Sequence, residues 1–87
     1  MKFGVCTDTT KAPALAAAGF DFIEMNVQAH LKPLASEADF QASLALIQAS
    51  ALPCTAANCF LPGGLKVTGP DVDRAKLDAY VRTALSR

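Results

Sequence analysis

Five polar or thiol side chains stand at or near the ends of the apolar segments of this 87-residue sequence, where a parallel sheet would gather them. They are Cys6, Asp8, Glu24, Asn26 and Asn58. A carboxylate can do general acid–base work, and an amide or a thiol can hydrogen-bond the hydroxyl groups of a ligand. These five residues are therefore our candidates for a substrate pocket, and no catalytic residue can be assigned among them.

Each candidate has a structural alternative. Glu24 lies within an apolar segment, where an unpaired charge is costly. It is either an acid of the site, or an anchor for a loop, or a structural residue paired with a strand outside this chain. Asp8 either caps a helix or contacts a substrate hydroxyl group. Asn26 and Asn58 either bind hydroxyl groups of a ligand or stand at the strand ends because asparagine favours turns. Cys6 is expected to line a pocket, because no base that would activate its thiol is identifiable.

The remaining histidine and cysteines do not form a metal-ligand pattern. His30 is the only histidine, and neither an H-x-x-x-H spacing nor a cysteine pair accompanies it. We therefore expect an exposed loop histidine and no metal site within the chain. Cys6, Cys54 and Cys59 have no paired spacing, which favours free, buried thiols in a reducing, cytoplasmic compartment.

The segment 62–66, PGGLK, is rich in glycine and ends in a cation. It lacks the G-x-x-x-x-G-K-[ST] frame of a phosphate-binding loop and does not abut a helix start. A rim or lid loop is the expectation, with Lys66 a candidate contact for an anionic group of a substrate.

Composition excludes several classes of protein. The chain is 52% hydrophobic and 18% charged, which is typical of a globular fold. Its eight basic and eight acidic side chains cancel, so no basic face for nucleic acid is expected. The pattern predicts neither a signal peptide nor a membrane-spanning segment.

Three strands alternating with three helices must position the candidate residues. Strands are predicted over 2–6, 20–27 and 54–60. Helices are predicted over 10–18 and 36–50, and from Asp71 or Asp73 to Arg87, with a loop over 28–35. In the second strand Phe22, Glu24 and Asn26 share one face, and the opposite, wholly apolar face should pack under helices. The apolar side of the last helix is predicted to consist of Leu77, Tyr80 or Val81, Ala84 and Leu85.

This order predicts right-handed crossovers and a parallel sheet with all helices on one face. The other face would stay open, as the wall of a barrel interior does. A complete eightfold barrel needs about 250 residues. We therefore predict three β-α units of a partial barrel over residues 1–87, either a fragment or a chain that completes itself by association. The rival is a compact three-stranded domain with one helix on the other face.

Two stretches of the sequence resemble a known family. AAGFDFIEM at 17–25 resembles the second-strand signature of the xylose isomerase-like barrel superfamily. NCFLPG at 58–63, followed by GPDVD at 69–73, resembles the third β-α loop of its sugar phosphate isomerase/epimerase members. The opening KFGVC at 2–6 fits their first strand. The resemblance spans the whole chain but only the N-terminal third of such an enzyme.

The resemblance implies a metal-dependent isomerase or epimerase of a sugar or sugar phosphate. Family members hold a divalent metal (Mn²⁺, Mg²⁺ or Co²⁺) on the sugar oxygens, and two glutamates move a proton through an enediolate. The metal ligands and glutamates belong to later strands, so the chain alone should be inactive. Asn58 stands where the family's apurinic endonucleases carry a histidine ligand, which argues against DNA repair. The alternative is a non-catalytic, self-associating partial-barrel module.

Overall fold

The computed structural model, which describes residues 1–87, is an α/β structure with one three-stranded parallel sheet in the order β1-β2-β3. This confirms the predicted parallel sheet and its alternation with helices. None of the helices combines the length and the apolar composition that a membrane span requires. The strands are Gly4–Cys6 (β1), Phe22–Asn26 (β2) and Cys54–Asn58 (β3), and the helices are Ala12–Ala17 (α1), Val27–His30 (α2), Glu37–Gln48 (α3) and Arg74–Ser86 (α4).

Short polar side chains begin the helices. Ser36 caps α3 and Asp73 caps α4, each accepting a hydrogen bond from a backbone N–H in the first turn. Asp8 caps a single 3₁₀ turn, Thr9–Lys11, that leads into α1. Gly19 follows α1 with a φ of +93°, a left-handed conformation that favours glycine. The predicted single helix over 10–18 is thus a 3₁₀ turn joined to a shorter α-helix.

The prediction of a loop over 28–35 is wrong at its start, because α2 occupies Val27–His30. The Asn26 side chain accepts a hydrogen bond from the Ala29 N–H at 3.0 Å and so caps this single turn. The asparagine that ends β2 therefore also begins α2.

The helix-covered face of the sheet holds the main core. Ile23, the second residue of β2, is fully buried and is surrounded by residues from α1 and from the segments that flank the strands. This confirms that Ile23 packs under helices. The cluster consists of Ala12, Ile23 and Leu52, with Leu15, Phe20, Met25 and Cys54 packed against it.

A β-bulge changes the face to which β3 presents its side chains. Ile23 pairs with Cys54, but the next residue of β2, Glu24, pairs with Ala56, so Thr55 is an extra residue. Cys54 packs against the helix-covered core. Asn58 pairs with Asn26, two residues beyond the Glu24–Ala56 pair. Without the extra residue, alternation would turn Asn58 toward the helices.

The C-terminal helix forms a second cluster with α2. Tyr80 and Ala84 of α4 pack against Val27. The predicted place of Leu85 on this packed side is wrong: its side chain is 76% exposed. Successive residues of a helix are about 100° apart, and the inward positions are Tyr80, Ala84 and Arg87, spaced by four and three residues.

Arg87 fastens α4 to the segment between α2 and α3. Its guanidinium donates hydrogen bonds to the carbonyl oxygens of Leu31, Lys32 and Ala35 and lies 4.8 Å from the centre of the Phe40 ring. It also forms an ion pair with Glu37 at 3.3 Å. Because the guanidinium is largely buried, these contacts hold the start of α3 against the end of α4.

Candidate functional site

The face of the sheet opposite the helices contributes nothing to either buried cluster. Gly4 and Cys6 of β1 lie on this uncovered face beside Phe22 and Glu24 of β2, because the β1–β2 pairs are Gly4 with Phe22 and Cys6 with Glu24. Gly4 and Cys6 are exposed, and Phe22 and Glu24 are half-buried. Two of the five candidate residues, Cys6 and Glu24, therefore lie side by side on this face.

Two candidates from the outer strands meet on the uncovered face. The Asn58 Nδ2 of β3 donates a hydrogen bond to the Cys6 Sγ of β1 at 2.7 Å, across the middle strand. Strands two apart are separated by about 9.6 Å, so both side chains must lean over β2 to touch. The structure thus brings together Cys6 and Asn58, which are 52 residues apart in the sequence.

The Asn58 side chain is only half satisfied. Its Oδ1 is buried and has no hydrogen-bond partner. A buried, unpaired acceptor costs roughly 1–3 kcal/mol, so this oxygen is a cost to the fold that no contact within the chain offsets. The neighbouring Glu24 is the only carboxylate carried on this face.

A glycine and an aromatic ring close one end of the uncovered face. A Cβ on Gly4 would lie only 2.2 Å from the Phe22 ring, so the ring lies directly on the glycine. Gly4 thus makes room for the Phe22 ring, which leaves Cys6, Glu24, Asn26 and Asn58 as the polar part of the face.

The other two candidates have capping roles. Asn26 caps α2. The Nδ1 atom of His30, at the other end of α2, lies 2.9 Å from the Asn26 carbonyl oxygen. Asp8 accepts hydrogen bonds from the backbone N–H of Thr10 at 2.8 Å and from the Thr10 hydroxyl group. These two hydrogen bonds, aided by Lys11 and His30, hold the pKa of Asp8 below its usual value. Capping thus occupies both side chains, and neither is drawn into the Cys6–Asn58 contact.

The expected exposed loop histidine is wrong. His30 is half-buried at the end of α2, where its carbonyl oxygen accepts a hydrogen bond from the buried Ser43 hydroxyl group at 2.5 Å. The expectation of three buried thiols is also wrong, since Cys6 and Cys59 are exposed and Cys54 is half-buried. All three thiols are free, and burial raises the pKa of Cys54.

The loop after β3 is held by a residue that the sequence did not single out. The Gln28 Nε2 donates hydrogen bonds to the carbonyl oxygens of Cys59 at 2.8 Å and Leu61 at 3.2 Å. No local pattern around Gln28 signals this contact, because its partners lie more than 30 residues away. Lys66 donates to the Gly63 carbonyl oxygen at 2.8 Å, so it folds back on its own loop.

No three His, Cys, Asp or Glu side chains come together in the structure. What the uncovered face offers is one carboxylate, one amide oxygen without a partner, and one thiol. That set can hydrogen-bond hydroxyl groups, and Glu24 can accept a proton.

Comparison with known proteins gives no relative: no family model, no curated protein and no solved structure matches this chain.

Proposed function

We propose that this chain forms the first three β-α units of a (β/α)₈ barrel that isomerises or epimerises a sugar or sugar phosphate. The reaction is proton transfer beside a carbonyl through an enediolate. The observation that carries the proposal is the Cys6–Asn58 contact across β2, which joins the carboxyl ends of the outer strands on the uncovered face. Barrel enzymes build their active sites at this end of the strands.

Three further features support a barrel. The strands are parallel and adjacent in sequence order, as consecutive barrel strands are. Side chains leaning together over β2 fit a sheet that curves toward the uncovered face, and the bulge at Thr55 is a device that bends a strand. The resemblance of residues 17–25 and 58–73 to the isomerase family supports the reaction class.

In this proposal the chain supplies one wall of the sugar pocket. Asn58 contributes its side-chain amide to the binding of a sugar hydroxyl group, and Cys6 holds that amide in place. Glu24 accepts a second hydroxyl group. The divalent metal and the proton-transferring glutamates would be supplied by strands outside these 87 residues, so the chain alone is inactive. The proposed compartment is the cytoplasm, where free thiols persist.

A second candidate is a non-catalytic module that completes its sheet by association with a further copy. The accessible surface is 5628 Å², whereas a compact monomer of this mass exposes about 4900 Å². The principal extents of 48 × 29 × 17 Å describe a thin slab, and only nine of 87 residues are buried. This excess of surface favours a chain that is covered by something else.

The coding sequence after residue 87 and calorimetry with Mn²⁺ together test the proposal. We expect the reading frame to continue into strands that end in Glu, Asp and His, and the longer product to bind Mn²⁺ stoichiometrically while the 87-residue chain does not. A stop codon directly after Arg87, with a chain that sediments as a dimer, would favour the self-associating module instead. Stoichiometric Mn²⁺ binding by the 87-residue chain would contradict both, and would indicate ligands shared between copies.

A further inference from the structure

A cleft with an apolar floor lies between the segment that follows α2 and the loop that follows β3, and no residue of the uncovered face lines it. It consists of two adjoining hollows of about 510 and 560 Å³. Both hollows are lined by Pro33, Leu34, Pro62 and Tyr80. Each is within the volume range of small-molecule sites.

The walls of this cleft are held in place by contacts already described. Arg87 fixes the segment before α3, and Gln28 fixes the loop that carries Pro62. Tyr80 is 2% exposed, and its hydroxyl group donates to the Phe60 carbonyl oxygen at 2.5 Å. Two prolines and an anchored tyrosine therefore give a floor that needs little ordering when a ligand binds.

The charges around the cleft have one sign. Lys32 stands at the first hollow and Lys76 at the second, and no acidic residue lines either. Neither ammonium group has an ion-pair partner, because the single salt bridge of the structure joins Arg87 to Glu37. In a chain of zero net charge, this is a local excess of positive charge over an apolar floor.

We propose that this cleft binds a small molecule that joins an apolar body to an anionic group, either a carboxylate or a phosphate monoester. The body packs on Leu34, Pro62 and Tyr80, and the anion pairs with Lys32 or Lys76. Leu34 is 78% exposed in the free chain, and such a ligand would cover it. None of the residues that line the cleft is one of the three proposed sugar contacts, Cys6, Glu24 and Asn58, so the inference does not depend on the proposed function.

Amide NMR titrations of the 87-residue chain test the proposal with phenylpropionate, phenylpropyl phosphate and phenylpropanol, which share one apolar body. Acetate and inorganic phosphate are the control anions, because they lack the apolar phenylpropyl group. We expect the two anionic probes to bind at least about threefold more tightly than the alcohol, because a solvent-exposed ion pair contributes up to about fivefold. The shifted amide signals should be those of Lys32, Leu34 and residues 76–80. The tighter of the two anions identifies the head group.

Variants at the two lysines distinguish binding through the lysine charges from non-specific binding of the apolar body. Lys32→Gln combined with Lys76→Gln should abolish the preference for the anions over phenylpropanol. Lys66→Gln is the matched control, because that lysine is bonded to its own loop and lies outside both hollows. The proposal would be overturned if phenylpropanol bound as tightly as the anionic probes, or if the double variant kept the preference for the anions. It would also be overturned if acetate or inorganic phosphate bound as tightly as the full probes, or if the shifts lay elsewhere on the chain.

Discussion

The two faces of the sheet differ in what their side chains do for the fold. On the helix-covered face, Ile23 is fully buried within an apolar cluster. On the uncovered face, Asn58 has a buried oxygen without a partner and Cys6 is exposed. One face stabilises the chain and the other carries polar groups at a cost to stability, which is the usual division between a core and a ligand site.

The largest effect is expected at the helix-covered face. Ile23→Ala should lower the free energy of unfolding by about 2–5 kcal/mol, because it leaves a cavity at the centre of the core. Ile23→Val should lower it by about 0.5–1.5 kcal/mol and keeps the comparison measurable if the alanine variant fails to fold. Leu46→Ala is the control, since Leu46 is 63% exposed. Urea unfolding measures all three, and equal losses for Ile23→Ala and Leu46→Ala would contradict the assignment of the core.

The next effect concerns the crowded end of the uncovered face. Gly4→Ala should cost about 1–3 kcal/mol, because the new Cβ would overlap the Phe22 ring. Adding Phe22→Leu should recover part of this loss, which a double-mutant cycle measures. Gly63→Ala is the control, because no atom lies within 4 Å of a Cβ at that position. Strict additivity of Gly4→Ala and Phe22→Leu would show that the ring does not lie on Gly4.

A smaller effect is expected at Tyr80, in the second cluster. Tyr80→Phe should cost about 0.5–1.5 kcal/mol through loss of the hydrogen bond to Phe60. Burial raises the pKa of Tyr80, so its contribution to stability is complete below pH 10 and is lost as the pH rises through the folded-state pKa. The tyrosinate absorbance titration is unambiguous, because Tyr80 is the only tyrosine. A midpoint at or below the ordinary value would contradict the buried placement.

The smallest change in stability is expected at Asn58. Asn58→Val removes the unpaired buried oxygen, so the free energy of unfolding should change by less than about 0.5 kcal/mol or rise. Asn26→Ala is the matched comparison and should cost about 1 kcal/mol, because it removes the cap of α2. Thermal unfolding distinguishes the two asparagines. A greater loss at Asn58 than at Asn26 would assign Asn58 to the fold and not to a ligand.

The sequence predicted the parallel sheet because strand and helix patterns alternate without interruption, and it predicted the buried side of β2 from the wholly apolar set that includes Ile23. It did not predict α2, because a single turn has no periodicity and depends on the Asn26 cap. It also did not predict the bulge at Thr55, which depends on register with β2 and decides the face of Asn58. The sequence predicted that Cys6 and Asn58 gather at the strand ends, but their direct contact depends on that bulge and was not predicted.

The central claim is that the uncovered face is the wall of a sugar pocket. Its most direct test is exchange of the carbon-bound proton of a ketose, or ketose phosphate, in deuterated water with Mn²⁺, using the product that continues beyond residue 87. We predict measurable exchange, slowed about tenfold or more by Asn58→Ala through loss of one hydrogen bond to the sugar, and unchanged by Leu46→Ala. Exchange that is absent from the longer product, or equally fast in Asn58→Ala, would contradict the claim.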